Sequence, residues 1–378
     1  PSTTPPGENP ETPSIEKSVG KLGNADTTAT LGEELPFFIT PEVPYDIATA
    51  KTYTIVDELD NRLTYTDGQD LTVRPADENG KALSGKSLRE GTDYTVETPA
   101  DDNHNTLTVA FTEDGRQALA DADASTVLIS FTASLNGAAI DTIGQKVPNQ
   151  AHLAYTNSAN EDFDVDSNEV EVHTGAIVIT KTGTDGKVLP GATFQVYGSL
   201  TDAQSKTNPV TFFDAQGNPQ TTVTTSQNGT ATMYGLPYGP QISEDSEGNG
   251  YSATSTAAAN ATTYYLVETQ APAGYTLLND PVAVTVSGST PTGTVTVENG
   301  TTPNGTTPNG TTPNGTTPNG TTPNGTTPGT TTDLTGKTSP QTGDTTAPLI
   351  ALAVVGAAAC VGGALFFKRR EIKAKFTK

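Results

Sequence analysis

The feature that most constrains this chain is a set of short segments in which apolar and polar residues alternate with a period of two. Residues two apart in a strand share a face, so each segment has one face to bury and one to wet. Up to residue 174 the pattern recurs at 51–56, 71–73, 94–96, 106–111, 126–131, 150–155 and 169–173, between turn signals. It resumes at 176–182, 193–197, 221–225, 230–234, 263–268, 282–286 and 294–298. Many short strands punctuated by turns predict an all-β chain of two tandem immunoglobulin-like β-sandwich domains, 14–174 and 175–300. Residues 115–124 read as a short helical turn. The Ser/Gly/Ala-rich segment 240–261 reads as a long surface loop.

The flanks have nothing to bury. Residues 1–13, rich in Pro, Thr and Glu, read as a linker. Residues 301–325 are five copies of Thr-Thr-Pro-Asn-Gly, and 301–338 read as a disordered stalk. Drawn out at about 3.1 Å per residue, such a stalk reaches roughly 120 Å.

Next come Ser339-Pro340-Gln341-Thr342-Gly343, the uncharged run 349–367 and a basic tail, 368–378. As a helix the run spans about 28 Å, enough for a transmembrane segment. The Lys/Arg cluster beyond it assigns that end to the cytoplasm and everything before Ser339 to the outside. The tail holds six of the 20 Lys/Arg and one of the 43 Asp/Glu, so the chain before it carries a net charge of −28. That charge disfavours nucleic-acid and phosphate binding. The one cysteine, Cys360, lies in the apolar run, which leaves an exported chain no disulfide; any covalent staple must use other chemistry. The chain begins at Pro1 without a signal peptide, which an exported protein needs, and so reads as a fragment or processed form.

Strand parity then picks out three polar residues on the apolar stripes of each domain. In the first, Lys17 shares a face with Ile15 and Val19, Asp57 with Tyr53 and Ile55, and Asn149 with Val147, Ala151 and Leu153. Asn168, in step with Val170 and Val172, is a rival to Asn149. In the second, Lys181 follows Ile177 and Ile179, Glu268 follows Tyr264 and Leu266, and Asn299 follows Val295 and Val297. Burial lowers the pKa of a lysine and raises that of a carboxylic acid. A neutral lysine amine can attack an Asn carboxamide while a protonated acid polarises the carbonyl and shuttles protons, leaving an isopeptide bond. Both lysines lie on an opening strand and both asparagines near a closing one.

Two resemblances rest on these residues. Ser339–Gly343, the apolar run and the basic tail resemble the cell-wall sorting signals of Gram-positive surface proteins, with Ser339 where that family has Leu. The resemblance implies a sortase that cuts between Thr342 and Gly343 and joins the threonine to peptidoglycan or to another pilin subunit. Ile179-Thr180-Lys181, Leu189-Pro190-Gly191-Ala192-Thr193-Phe194 and Tyr264–Tyr275 resemble the SpaA-like, or Cna protein B-type, domain of pilins and adhesins. In that family the residues matching Lys181 and Asn299 are bonded and the one matching Glu268 is the catalyst. Residues 14–174 are similar to the isopeptide-forming domain that precedes it in fimbrial subunits, which implies the same roles for Lys17, Asn149 and Asp57.

Other polar clusters carry less. Asp162, Asp164 and Asp166 lack the glycine and late glutamate of an EF-hand and read as a solvated strand face. Asp101–Asn105 reads as a polar turn. His104, His152 and His173 have neither metal-ligand spacing nor a nucleophile partner. No cofactor or metal is expected. The sequence therefore points to a wall-anchored structural subunit of a fimbria, secreted, with a membrane-bound precursor, and not an enzyme. The alternative is a wall-anchored adhesin for a host surface ligand. No Tyr-Pro-Lys-like pilin motif precedes the first domain.

Overall fold

The computed structural model describes residues 12–66, 71–99, 105–239 and 261–302. These residues form two β-sandwiches. In the first, Ile15–Val19, Leu35–Pro41, Thr126–Leu135 and the short strands Leu63–Tyr65 and Thr72–Ala76 make one sheet. The facing sheet runs Asp162–Asp166, Ala151–Thr156, Thr52–Glu58, Thr106–Phe111, Tyr94–Glu97. A third, small sheet joins Val147–Asn149, Val170–His173 and Asp26–Thr28.

The alternation decides which faces meet. Along Thr126–Leu135 the buried residues are Val127, Ile129, Phe131, Ala133 and Leu135, every second position. Tyr53, Ile55 and Asp57 are the buried set of Thr52–Glu58. Packed across about 10 Å, these faces form one apolar core. Residues 115–124 contribute to a real helix, Glu113–Asp121, whose start is capped by Thr112 accepting from the Gly115 N–H.

Leu35–Pro41 is a central strand whose sequence shows no alternation. Pro-Phe-Phe-Ile is a continuous apolar run between prolines, so its period is hidden even though every second residue is buried. Asn149 and Ala151 keep the same parity on either side of Gln150, yet they belong to different sheets. The chain changes sheet between them, Val147–Asn149 pairing with Val170–His173 and Ala151–Thr156 with Thr52–Glu58.

The second sandwich has Pro219–Gln220, Phe212–Phe213, Thr230–Leu236, Gly175–Gly183 and Thr292–Asn299 on one sheet. Val223–Thr224, Thr193–Tyr197, Ala261–Gln270 and Val282–Ser287 form the other. Its first and last strands are parallel neighbours, with Lys181 opposite Val297 and Gly183 opposite Asn299. A core of its own lies between the sheets. A short helix, Leu200–Ser205, is capped by Ser199 and ended by Lys206 in the left-handed region, φ 56°. Only Thr174, itself buried, separates the last strand of the first sandwich from the first strand of the second. Across that joint the Thr28 hydroxyl donates to the Tyr238 carbonyl at 2.7 Å.

Candidate functional site

The sites follow from strands that each place one polar residue inward. In the first sandwich Lys17 is the middle residue of its strand and only 2% exposed. Its Nζ forms an ion pair with Asp57 Oδ2. It also lies 5.6 Å and 5.3 Å from the ring centroids of Phe37 and Phe131, which stack on each other. Those rings favour the ammonium electrostatically. The aromatic pair escapes a sequence reading because Phe37 sits in the strand whose period is hidden.

Asp57 is fully buried and stands opposite Ala151 in the sheet, two residues past Asn149. Asn149 is 2% exposed and close enough to Asp57 to favour the charged carboxylate. Neither polar atom of its carboxamide completes a well-formed hydrogen bond, nor does Asp57 Oδ1. Burial pushes the Lys17 amine below its ordinary range, opposed by the charge of Asp57. Burial likewise pushes the Asp57 carboxyl up, opposed by Lys17. Both shifts favour the proton passing from lysine to acid, which leaves two neutral partners. Asn168 lies elsewhere: its exposed side chain pairs with the main chain of Lys17 and not with its amine.

In the second sandwich Lys181, Glu268 and Asn299 are all at most 2% exposed. Here the lysine Nζ donates to main-chain carbonyls, Val297 O at 2.9 Å and Thr182 O at 3.2 Å. Glu268 turns to the asparagine. Its Oε1 and Oε2 accept from Asn299 Nδ2 at 2.8 and 2.9 Å, and Oε2 also accepts from the Leu278 N–H at 2.8 Å. Among the described residues Asn299 Oδ1 has no hydrogen-bond partner. Burial lowers the Lys181 pKa, with the charges of Glu268 and then Glu298 opposing. Gly183, opposite Asn299, is a place where only hydrogen fits: a Cβ there would lie 2.5 Å from the Tyr275 ring. The Leu278 amide is invisible to strand parity, because it belongs to the connection after Ala261–Gln270.

The remaining candidates sort differently. Asp162, Asp164 and Asp166 occupy the exposed face of an edge strand. Thr156 Oγ1 donates to Asp162 at 2.9 Å, and the His152 ring lies 2.9 Å from Asp166 Oδ1 and 3.3 Å from Asp164 Oδ1. His173 lies beside Glu171 and the Tyr238 ring. Among the described residues no three His, Cys, Asp or Glu are grouped to hold a metal. His104, segment 240–260, the repeats from residue 303, Thr342, Gly343 and the run 349–367 lie outside the described residues. Among the described residues no helix is long and apolar enough to cross a membrane.

The model of the SpaA family, described as a prealbumin-like fold domain, matches residues 175–259 and 242–301. The chain is 30% identical over 284 residues to a fimbrial subunit type 1 of Actinomyces viscosus, covering 66% of this chain and 50% of the relative. It is 28% identical over 291 residues to a fimbrial subunit type 2 of Actinomyces naeslundii, covering 71% and 50%. The chain thus spans about half the length of either relative. Among solved structures, the 35 kDa C-terminal fragment of a major pilin of Streptococcus agalactiae superposes with a TM-score of 0.60. It is 23% identical, and the match covers 76% of this chain and 100% of that one. The full-length major pilin SpaD of Corynebacterium diphtheriae gives 0.52 at 22% identity, covering 78% and 66%. Residues 175–301 therefore match the SpaA prealbumin-like domain, in a chain that shares the tandem-sandwich fold of these two major pilins.

Proposed function

We propose that this chain is a structural subunit of a cell-wall-anchored fimbria or pilus, with two sandwiches, 14–174 and 175–300, that each staple themselves with a Lys–Asn isopeptide bond. The observation that carries the reading is the meeting of a buried lysine, carboxylic acid and asparagine in each core. A buried, unpaired lysine is costly, and in both sites burial drives the amine toward its neutral, nucleophilic form.

The chemistry balances without a co-reactant. The neutral Nζ of Lys17 or Lys181 attacks Cγ of Asn149 or Asn299. The Nζ–Cγ bond forms and the Cγ–Nδ2 bond breaks. Nδ2 leaves as ammonia, with its own two hydrogens and one from the amine. Asp57 or Glu268 accepts that proton and delivers it to the leaving nitrogen. Packing supplies the proximity that makes a sluggish amide exchange feasible.

Anchoring completes the reading. A sortase cleaves between Thr342 and Gly343 and hands the threonine carbonyl to peptidoglycan or to another pilin subunit, while 349–367 and the basic tail hold the precursor in the membrane. The order of motif, apolar run and tail supports this step. A net −28 before the tail suits a surface stalk more than a nucleic-acid or anionic-lipid binder.

Intact mass tests the staples. The wild-type chain should be short by two ammonias, with branched tryptic peptides joining the segments of Lys17 and Asn149, and of Lys181 and Asn299. Glu268→Ala and Asp57→Ala should each restore one ammonia. A full wild-type mass sinks the proposal.

A further inference from the structure

Asn168 combines a hydrogen bond at each of its two polar atoms with a position between the two partners of the proposed first staple. Its Oδ1 accepts from the Lys17 N–H and its Nδ2 donates to the Lys17 carbonyl, both at 2.9 Å. Ile15–Val19 is the edge strand of its sheet, so among the described residues no neighbouring strand pairs with it on that side. The carboxamide stands in for the missing peptide group at the residue whose side chain must enter the core. Beside it, buried Ser167 is tied to Ala151. Its Oγ accepts from the Ala151 N–H at 3.0 Å, and its own N–H donates to the Ala151 carbonyl at 2.8 Å. Gln150 Nε2 donates to the Ser167 carbonyl at 2.6 Å. Residues 167–168 thus clasp the main chain of the lysine on one side and the two residues after Asn149 on the other.

We infer that Asn168 is a positioning residue for the Lys17–Asn149 reaction: it fixes the lysine strand at the depth and register from which Nζ reaches Asp57 and Asn149. Both its polar atoms are engaged by the Lys17 main chain, whereas among the described residues those of Asn149 complete no well-formed hydrogen bond. Asn168 therefore acts through Lys17 and is not the acceptor. The inference rests on the stapling reading above.

The test follows ammonia loss by intact mass after a translation pulse of the full chain, with the second sandwich as internal clock. Asn168→Ala removes both main-chain hydrogen bonds and should slow first-domain bonding by about tenfold, leaving the second domain's rate unchanged. Asn168→Asp keeps the acceptor for the Lys17 N–H but loses the donor. It should recover part of the rate and still lose ammonia, with the branch at Asn149. An unchanged rate in Asn168→Ala, or a wild-type branch joining Lys17 to Asn168, overturns the inference while leaving the staple standing. If Asn168→Ala fails to fold, the Asp variant decides, and loss of its ammonia release overturns the inference. A wild type with no Lys17 branch at all is instead the failure of the stapling reading.

Discussion

The two sites contain the same three residue types in opposite pairings. In the first, the acid holds the lysine; in the second, it holds the asparagine. In the proposed reaction Asp57 would take the proton that keeps Lys17 from attacking. Glu268 sits at Nδ2, the nitrogen that would leave, while Lys181 rests on main-chain carbonyls. One arrangement resembles the start of the proposed proton path and the other its end. A shared reaction therefore does not require a shared resting geometry, only an acid within reach of both partners.

The sites also differ in what a bond at each would tie together. Asn299 lies on the exit strand, directly beside the entry strand that carries Lys181. Asn149 lies beside the exit strand in the sheet but three strands before it in the chain: it pairs with Val170 on Val170–His173, and that strand leads out. A Lys181–Asn299 bond would shield everything between those residues from tension. A Lys17–Asn149 bond would leave 150–174 in series with the load. Pulling on a stapled chain should therefore draw up to about 80 Å from the first sandwich and no comparable length from the second. Single-molecule force extension measures this, and equal behaviour of the two would erase the mechanical contrast.

The next contrast is energetic. Each proposed staple would close a loop of more than a hundred residues, which stabilises by about 4–5 kcal/mol in the loop-entropy picture. Asp57→Ala should lose that and also strand a buried lysine, a further loss of about 3–5 kcal/mol. Glu268→Ala should lose the staple and leave the Asn299 and Leu278 N–H groups without their acceptor, at about 1–3 kcal/mol each, with Lys181 still bonded to carbonyls. The two sandwiches should thus lose stability by similar amounts. Chemical unfolding followed by hydrogen exchange in each sandwich would show it, and a much smaller loss from Asp57→Ala would mean that the ion pair contributes little.

The smallest effect is in pH. In Asn299→Ala, Lys181 stays an amine whose folded pKa is lower than its unfolded one. Between those values the unfolded chain binds more protons, so stability should rise as pH climbs through the folded pKa toward about 10.5 and then level off. The stapled wild type should show no such gain, because its amine has become an amide. In Asn149→Ala the gain should be weaker, since neutralising Lys17 removes the counter-charge of Asp57. Denaturation midpoints across pH 7–11 check this. A rise of equal size in stapled wild type would mean that other groups cause it.

Local pattern was enough to identify an all-β chain and the inward parity of Lys17, Asp57, Asn149, Lys181, Glu268 and Asn299, because a period of two is a property of neighbouring residues. It was enough, too, to show that the only cysteine could not staple the sandwiches. It did not reveal Leu35–Pro41, whose apolar run has no visible period, and so missed the Phe37 and Phe131 rings over Lys17. Pairing lay wholly beyond it. Which acid oxygen meets which nitrogen, the change of sheet at Gln150, the Leu278 N–H on Glu268 and the parallel contact of first and last strands all join residues far apart in sequence. The same holds for Asn168: parity placed it in step with Val170 and Val172, while the fold turned its carboxamide onto an unpaired strand edge. An exposed edge exists only once the sheets have formed, and so only the tertiary structure could decide what that side chain does.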